Sequence, residues 1–233
     1  MSKRAVILAG GKGIRLRPYT VTFPKPLVPV GDHPILEIII KQLVKHGFTH
    51  ITITVNHLAE LIESFFGDGL KWNVKIDYSL EDKPFGTMGP LKLIEDLPDN
   101  FLIMNGDVLT DLDFDCFYNF HVEKEKLFTI SSFKRIQKVD YGVLKTNEGK
   151  SLVGFQEKPT IPFEVSMGIY MASKRILDYI PDDKTFGFDH LMHRMIEVNE
   201  YPEVKLHKGY WLDIGRPNDY EKACNDINKL VDE

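Results

Sequence analysis

Short apolar strands alternate with amphipathic helices through the first half of the chain. Val6–Ala9 is a fully apolar strand followed at once by glycines, and Leu36–Leu43 places apolar residues at a helical period until Gly47. The further strands predicted here are Ile51–Val55, Val74–Tyr78 and Phe101–Met104, and the further helices are Leu58–Phe65, Gly89–Asp96 and Asp113–Glu125. This order predicts βαβ units, and hence a Rossmann-like α/β fold in which a mostly parallel sheet carries helices on both faces.

From residue 127 onward the pattern changes to strands with few helices between them. The predicted strands are Leu127–Phe133, Gly142–Lys145, Leu152–Gln156 and Ser166–Met171. Asn147–Lys150 is a hairpin turn signal, and the helices Phe188–Glu197 and Pro217–Val231 close the chain. We therefore expect one domain over residues 1–233, in which residues 127–233 form a smaller, antiparallel lobe.

The composition argues against a nucleic-acid or membrane surface. With 29 basic and 34 acidic residues the formal net charge is −5, whereas proteins that coat nucleic acid carry a basic excess. The first apolar run ends at Gly10, too early for a signal peptide, and no stretch reaches the roughly 20 apolar residues of a membrane span. Cys116 and Cys224 lack metal-site spacing and are expected to be free thiols. These features predict a soluble, cytoplasmic protein.

The strongest local signal is the glycine-rich segment Leu8–Pro18, which reads LAGGKGIRLRP. Glycines after a strand let the backbone turn tightly and approach a ligand, and successive N–H groups form an anion-binding concavity. Lys12 and Arg15 add cations, and arginine can hold phosphate oxygens with two parallel N–H groups. The segment lacks the Lys-Ser or Lys-Thr of a Walker A loop, and Leu16 stands where a dinucleotide fingerprint needs its third glycine. It therefore favours phosphate binding outside both familiar motifs, with an ordinary structural turn as the alternative.

Lys25 lies in a proline-rich segment, FPKPLVPV, that follows the glycines. Prolines on both sides fix the backbone and lower the entropy cost of aiming this cation at a ligand. The segment thus favours a cation held ready for an anionic ligand, with an exposed surface lysine as the alternative.

An acidic residue follows the fourth predicted strand, Phe101–Met104, at the point where such sheets bind ligands. Asp107, in the tripeptide Asn-Gly-Asp at 105–107, is expected at the carboxyl edge of the sheet. Mg²⁺ takes one or two carboxylates together with phosphate oxygens and water, so Asp107 is a candidate ligand. Alternatively, the side chain of Asp107 caps the turn that follows the strand, as those of Asp111, Asp113 or Asp115 could also do. Those three aspartates have EF-hand-like spacing, but Cys116 replaces the required glycine, which excludes a calcium loop.

Five motifs in the same order give the chain a resemblance to a known family. They are LAGGKGIRLRP with FPKPLVPV within residues 8–30, FGTMGPL at residues 85–91, NGD at residues 105–107, FQEKP at residues 155–159 and YWLDIGRP at residues 210–217. These motifs, which extend over essentially the whole chain, resemble those of the sugar-1-phosphate nucleotidylyltransferases.

The resemblance implies an enzyme that moves a nucleoside monophosphate from an NTP to a sugar 1-phosphate and releases pyrophosphate, with Mg²⁺ as its cofactor. It implies a nucleotide-binding part over residues 1–126, a sugar-phosphate-binding part over residues 127–233, and no β-helical acyltransferase domain. Self-association into homo-oligomers is common among such enzymes. Because the sugar phosphate already carries an anionic oxygen, the reaction needs neither a general base nor a covalent intermediate.

Taken together, the residues and the resemblance assign the candidate site. The catalytic pair is Arg15 and Lys25; the nucleotide-binding set is Leu8, Ala9, Gly10, Gly11, Lys12, Gly13, Gly86, Thr87 and Asn105; the sugar-phosphate set is Gly142, Glu157, Lys158 and Ser166; the metal ligands are Asp107 and Asp213. Asp213 has a helix cap near Pro217 as its alternative, and Glu157 with Lys158 a solvated surface pair.

Two positions depart from the family pattern. Ile14 stands where relatives usually have Thr, which we expect to be tolerated because backbone N–H groups hold the phosphate there. Ser166 stands where relatives often have Asn, so the sugar contact of that Asn stays open.

The identity of the base and sugar rests on a weaker likeness. Gly86–Leu91 resembles the GTAGPL of guanylyltransferases for mannose 1-phosphate or heptose 1-phosphate, which favours GTP over UTP, dTTP or CTP. Rival interpretations are a kinase, disfavoured by the missing Walker A loop, and a non-catalytic nucleotide or sugar-phosphate sensor, which has no need of two metal-binding aspartates. An NAD-dependent oxidoreductase fails at the fingerprint.

Overall fold

A seven-stranded sheet with helices on both faces organises the molecule. The computed structural model describes residues 3–56 and 58–227. Its strands are β1 (Lys3–Leu8), β2 (Pro29–Val30), β3 (His33–Pro34), β4 (Phe48–Val55), β5 (Lys75–Leu80), β6 (Asn100–Asn105), β7 (Val108–Thr110), β8 (Phe128–Lys138), β9 (Val143–Thr146), β10 (Leu152–Gln156), β11 (Thr160–Ser173), β12 (Glu203–His207) and β13 (Trp211–Asp213). Its helices are α1 (Ile35–Lys45), α2 (Ala59–Phe66), α3 (Phe114–Glu123), α4 (Phe188–Glu197) and α5 (Pro217–Asp226).

The strand order confirms the mostly parallel sheet that the sequence predicts. The order is β12-β8-β11-β6-β1-β4-β5, and β1 pairs in parallel with both β4 and β6. Only β11 runs antiparallel to its neighbours in this sheet as described. The carboxyl ends of β1, β4, β5 and β6 therefore lie at one edge, which is where such sheets bind ligands.

The second half of the chain joins this sheet instead of forming a separate antiparallel one. β11 pairs with β6 through its last residues, from Ile169 to Ser173, and with β8 along most of its length. The first part of β11 and the last part of β8 extend past the sheet as a ribbon, and β9 and β10 form a separate hairpin. A turn closes that hairpin as predicted, because the N–H of Lys150 donates to the carbonyl of Asn147. Of the strands predicted for the antiparallel lobe, Leu127–Phe133 and Ser166–Met171 are therefore parts of the main-sheet strands β8 and β11, and Gly142–Lys145 and Leu152–Gln156 form the separate hairpin.

Alternation along the buried strands supplies two hydrophobic cores, one on each face. In β1, Ala5 and Ile7 face the core under α1 and α3, whereas Val6 faces the core under α4. All three side chains are fully buried, which is the pattern of a strand covered on both faces. The sequence feature that predicts this is the unbroken apolar run of β1.

Local signals in the sequence explain the helix boundaries. α1 has Glu37 in its first turn and Lys45 in its last, both favourable to the helix dipole, and Gly47 follows it with a left-handed φ of 80°. α3 begins after Asp113, whose carboxylate accepts a hydrogen bond from the N–H of Cys116 at 2.8 Å. The predicted helix Pro217–Val231 is present as α5 to Asp226; Val231 lies outside the described residues.

One predicted helix is wrong. Over Gly89–Asp96 the structure has only a short 3-10 helix, Gly89–Leu93. Ile94 turns to an extended conformation and buries its side chain, which ends the helical turn, whereas Pro90 lies in the first turn, where proline is tolerated. Packing of single apolar residues, and not helical period, determines this segment.

Two further expectations concern cysteines and membranes. Cys116 and Cys224 are free thiols, as predicted. None of the helices within the described residues has the length and apolar character to cross a bilayer.

Candidate active site

A cleft opens at the carboxyl edge of the sheet and consists of two adjoining cavities of about 510 Å³ and about 330 Å³. Both are lined by Gly11, Lys12, Ile14 and Asp107, so they form one continuous space. The larger cavity is lined by residues that follow β1, β4, β5 and β6, and the smaller one by the glycine-rich loop, Arg15, Lys25 and Gly215. The cleft therefore lies at the edge that the parallel strand order predicts.

The glycine-rich loop presents backbone donors to this cleft. None of the backbone carbonyls within the described residues accepts from the N–H groups of Gly11, Lys12 or Gly13. A side chain at Gly11 would meet nothing within 4 Å, and Gly13 has a left-handed φ of 59°. Gly10 serves a different purpose, because a Cβ there would lie 2.5 Å from the Glu81 carboxylate. The loop thus has the unpaired N–H groups of an anion-binding concavity.

Lys25 meets Asp107 at the junction of the two cavities. The Lys25 ammonium forms an ion pair with Oδ2 of Asp107, and the two side chains are 11% and 21% exposed. The other carboxylate oxygen of Asp107, Oδ1, is buried and accepts no hydrogen bond within the described part of the chain. An unsatisfied buried carboxylate oxygen is costly, so a further cation or donor is expected to complete it.

A short two-stranded ladder brings Asp213 to Asp107. β13 pairs antiparallel with β7 so that Asp213 lies opposite Val108, and the N–H of Ile214 donates to the carbonyl of Asp107 at 3.0 Å. Burial first, and then the negative charge of Asp107, raise the pKa of Asp213, while Lys25 and Arg15 act in the opposite direction. Asp213 does not cap α5. The N-cap residue of this helix is Arg216, and its N–H donates to Asp219 in the first turn. Two carboxylates that repel each other therefore share one end of the cleft.

Arg15 lies on the same side of the cleft as these carboxylates. Its guanidinium is 3.6 to 3.7 Å from the position a Cβ on Gly215 would take, and it lines the smaller cavity. A side chain at position 215 would therefore contact Arg15. Because Gly215 follows Asp213 by only two residues, this contact places Arg15 near Asp213. Arg15, Lys25 and Asp107 thus line the smaller cavity, and Asp213, which lines neither cavity, lies close enough to interact with all three although the sequence separates them widely.

The opposite end of the cleft is formed by the loop that contains Gly86 and Thr87. Gly86 has a left-handed φ of 84°, and a Cβ there would be 2.8 Å from the carbonyl oxygen of Phe186. That carbonyl accepts from the N–H groups of both Met88 and Gly89. The Thr87 hydroxyl oxygen accepts from the N–H of Phe188 at 2.8 Å, so this oxygen already has a structural partner. Gly86 and Thr87 both line the larger cavity, as the sequence assignment requires.

Asn105 and Ser166 are connected through an irregularity in β11. The pairing of β11 with β8 shifts between Ser166 and Tyr170, and Gly168 within this bulge has a left-handed φ of 75°. A Cβ on Gly168 would be 2.5 Å from the side-chain amide of Asn105, which lines the cleft. The Ser166 hydroxyl donates to the hydroxyl of Tyr170 at 3.1 Å and accepts from the N–H of Gly168.

The remaining sugar-side candidates lie on the β9–β10 hairpin. A Cβ on Gly142 would be 3.3 Å from the Glu157 carboxylate and 2.6 Å from the ring of Phe155, so Gly142 and Glu157 are neighbours. Lys158 is exposed and has a left-handed φ of 42°. These three residues are not among those that line the two cavities, so the structure does not bring them to the phosphate end of the cleft.

Sequence reasoning missed Glu81, which lines the larger cavity although it is only 8% exposed. Its Oε2 accepts from the N–H of Phe85 at 3.2 Å, and its Oε1 lies against Gly10. Burial raises the pKa of Glu81, and the hydrogen bond from Phe85 offsets part of this effect. The signal that could have found it is its position immediately after β5, at the same edge as Asp107.

The donor set at Asp107 and Asp213 fits a magnesium ion bound together with phosphates. The described residues contain no cluster of three or more His, Cys, Asp or Glu side chains suited to a metal. Mg²⁺ commonly takes only one or two carboxylates and completes its octahedron with phosphate oxygens and water. The buried, unsatisfied Oδ1 of Asp107 and the raised pKa of Asp213 are both features that a divalent cation would relieve.

Comparison with known proteins identifies relatives over nearly the whole chain. The sequence model of the nucleotidyl transferase family matches residues 4–229. A UTP–glucose-1-phosphate uridylyltransferase of Synechocystis is 34% identical over 96% of this chain, and the catalytic subunit beta of a mannose-1-phosphate guanylyltransferase of Danio rerio is 36% identical over 93% of it. The chain spans 63% and 62% of the length of these two relatives.

A solved structure agrees with the fold. HddC from Yersinia pseudotuberculosis, crystallised in complex with GMP-PN, superimposes with a TM-score of 0.72 at 28% identity. The similarity covers 97% of this chain and 100% of that one. The α/β architecture described above is therefore shared with HddC.

Proposed function

The chain belongs to the nucleotidyl transferase family, and from this premise we propose that it transfers a nucleoside monophosphate from an NTP to a sugar 1-phosphate and releases pyrophosphate. The observation that carries the proposal is the convergence of Lys25, Asp107 and Asp213 beside the unpaired N–H groups of the glycine-rich loop. A protein that only senses nucleotides would need the glycine-rich loop. It would not need two neighbouring carboxylates, Asp107 and Asp213, with Lys25 beside them.

The residues divide the work between the reacting groups. The N–H groups of Gly11, Lys12 and Gly13, with the guanidinium of Arg15, hold the triphosphate. Lys25 stabilises the charge that develops on the phosphates at the transition state. Asp107 and Asp213 hold Mg²⁺, which supplies Lewis-acid polarisation of phosphate oxygens when bound.

The displacement itself is direct. An oxygen of the sugar 1-phosphate forms a bond to the α-phosphorus, and the bond from that phosphorus to the bridging oxygen breaks. The electron pair leaves with pyrophosphate, and no proton needs to move. Catalysis on this scheme consists of aligning two anions and offsetting their repulsion, which the cations at one end of the cleft are placed to do.

The proposed base is guanine, and Glu81 is the residue that favours it. Guanine presents two adjacent donors, N1–H and the N2 amino group, which a carboxylate can accept together. Uracil and thymine present a single N–H between two carbonyl oxygens, which would repel a carboxylate. Glu81 lines the larger cavity, where Gly86 and Thr87 also lie, and its Oε1 is next to Gly10.

The proposed acceptor is mannose 1-phosphate or a heptose 1-phosphate. The relatives named for mannose 1-phosphate guanylyl transfer, among them the Danio rerio protein, support the mannose type, while the Synechocystis relative is named for glucose 1-phosphate. Glu157 and Lys158 on the hairpin, with Gly142 beside them, remain the proposed contacts to sugar hydroxyls and phosphate.

One screen tests reaction, base and sugar together. The protein is incubated with Mg²⁺, one NTP at a time and a panel of sugar 1-phosphates, and pyrophosphate release is followed. We expect release that depends on both substrates and is fastest with GTP. If the protein binds the substrates but releases no pyrophosphate with any pair, the sensor alternative replaces the transferase.

A variant of Glu81 tests the choice of base separately. Glu81→Gln keeps the size of the side chain but offers an amide in place of one oxygen, so it should raise KM for GTP about tenfold or more. KM for UTP should change little or fall. Glu60→Gln, on the exposed surface of α2, is the matched control. An unchanged ratio of GTP to UTP turnover would remove Glu81 from the base site.

A further inference from the structure

Arg135 projects from the β8–β11 ribbon towards the strand that carries Asp213. It lies directly opposite Phe163 in the pairing of β8 with β11, and paired residues project from the same face of a ladder. On that face its guanidinium carbon is 5.0 Å from the centroid of the Trp211 ring. This cation–π contact holds the guanidinium beside the indole ring, and an arginine so placed can still donate from its N–H groups.

Trp211 connects this arginine to the metal end of the cleft. Trp211 and Asp213 are two positions apart in β13, so their side chains share one face, about 7 Å apart along the strand. The indole N–H of Trp211 donates to the carbonyl of Met167 at 3.0 Å, next to Gly168, which packs against Asn105. The stacked arginine thus lies beside the cleft on the side of the second half of the chain.

The charge of Arg135 is not neutralised locally. In the part of the chain that the structure describes, no carboxylate forms an ion pair with it. The nearest acidic candidate along the ladder, Glu164, lies opposite Lys134 on the other face and accepts from the hydroxyl of Ser132. Arg135 is therefore an oriented cation, exposed to solvent, whose donors have no acidic partner among these residues.

We propose that Arg135 binds the phosphate group of the acceptor, the sugar 1-phosphate, while the exposed ring of Phe163, its partner on the ladder, borders the sugar ring. The inference rests on the proposed function. It adds Arg135 to the candidate site, although this residue is neither in one of the five family motifs nor among those that line the two cavities. A phosphate monoester dianion matches the fork of donors on arginine, and an adjacent aromatic surface suits the C–H face of a pyranose. The phosphate would then lie between Arg135 and the reacting end near Asp213.

Direct binding tests this inference without requiring turnover. Titration calorimetry with mannose 1-phosphate and with glucose 1-phosphate, in the presence of Mg²⁺, gives Kd for the wild type, Arg135→Gln and Arg135→Lys. We expect Arg135→Gln to weaken binding of the better sugar phosphate about tenfold or more, and Arg135→Lys to do so less, since it keeps the charge but loses the stacked fork. Lys134→Gln removes the same charge from the opposite face of the ladder and should leave Kd within twofold.

Kinetics with the preferred substrates complete the test. In Arg135→Gln, KM for the sugar 1-phosphate should rise about tenfold or more while KM for the NTP stays within twofold. Kd and KM that match the wild type, an equal rise in both KM values, or a wild type that binds neither sugar phosphate would overturn the inference. Failure of the proposed function is seen separately, as absence of pyrophosphate release by the wild type with every substrate pair.

Discussion

Lys25 is the residue whose removal gives the clearest test of the chemistry. Its side chain is only 11% exposed, and its ammonium pairs with Asp107 at the junction of the two cavities. In the proposed reaction it stabilises charge at the transition state, so Lys25→Ala should lower kcat by about 100-fold or more. Steady-state pyrophosphate release measures this, with Lys150→Ala on the exposed hairpin turn as the control. Turnover within a few fold of the wild type would show that Lys25 only holds Asp107 in place.

His121 makes the stability of the protein depend on pH. It is fully buried, its Nδ1 lies 2.8 Å from the Thr129 hydroxyl, and burial lowers its pKa from 6.5 to about 4. Below about pH 6.5 the unfolded chain binds a proton that the folded protein does not, so the free energy of unfolding should fall as the pH drops towards 4. The loss should reach about 2 kcal/mol at about pH 5, relative to neutral pH.

Denaturant unfolding of the wild type and of His121→Gln, at about pH 7.5 and about pH 5, measures this effect. The variant has no imidazole at this position, so its stability should decrease less between the two pH values. Parallel losses in both proteins would assign the acid sensitivity to other groups.

At the scale of single residues, the sequence predicts those whose signal is local. Lys25 is recognisable between its prolines, and Asp107 by its place after a buried strand. Glu81 has only one signal, its place directly after a strand, because the neighbouring charged residues Asp82 and Lys83 make its segment look like solvated surface. Its burial depends on Gly10, a residue 71 positions away, and contacts of that range are not visible in a local pattern.

Among the elements, β11 carries the feature most sensitive to a small change. Its bulge at Gly168 combines a left-handed φ of 75° with a separation of only 2.5 Å between a would-be Cβ and the Asn105 amide. Gly168→Ala should therefore lower the free energy of unfolding by about 1 to 2 kcal/mol from backbone strain alone. It should also displace Asn105 from the cleft and raise KM for the NTP.

The matched control is Gly149→Ala in the β9–β10 turn, where a Cβ would meet its nearest atom, the Asn147 side-chain oxygen, at 3.5 Å. Denaturant midpoints and KM are measured for both variants. We expect Gly149→Ala to leave KM unchanged. If Gly168→Ala were as mild as the control in both measurements, the bulge would not constrain Asn105.

Element type follows from the sequence where a long apolar pattern decides it. α1 and the buried strand β1 are recognisable from periodicity alone. Gly89–Asp96 was predicted as a helix, yet the structure has only a short 3-10 helix there, whose first residue is held by the carbonyl of Phe186, far along the chain. Leu127–Phe133 and Ser166–Met171 were predicted as strands, but the ribbon that extends β8 to Lys138 and β11 back to Thr160 was not. The entry of both strands into the main sheet depends on pairing partners that no single segment specifies.

For the molecule as a whole, the candidate site exists only because both halves of the chain reach the same edge of the sheet. Asp107 comes from the first half and Asp213 from the second, and the β7–β13 ladder brings them together. The motifs could predict that these two residues belong to one site, but not which pairing would join them. A test of the assembly must therefore measure their energetic coupling, not their separate importance.

A double-mutant cycle provides that measurement. Asp107→Asn, Asp213→Asn and the double variant keep side-chain size but remove one or both negative charges. If the two carboxylates hold one Mg²⁺ ion, each single change should weaken Mg²⁺-dependent GTP binding about tenfold or more, and the double change should weaken it little beyond the worse single one, since the shared ion is already lost. Titration calorimetry with and without Mg²⁺ gives the affinities, and Glu148→Gln on the exposed hairpin turn is the control. Losses that multiply in the double variant would mean that the carboxylates act independently, and the metal would then have to be assigned to one of them alone.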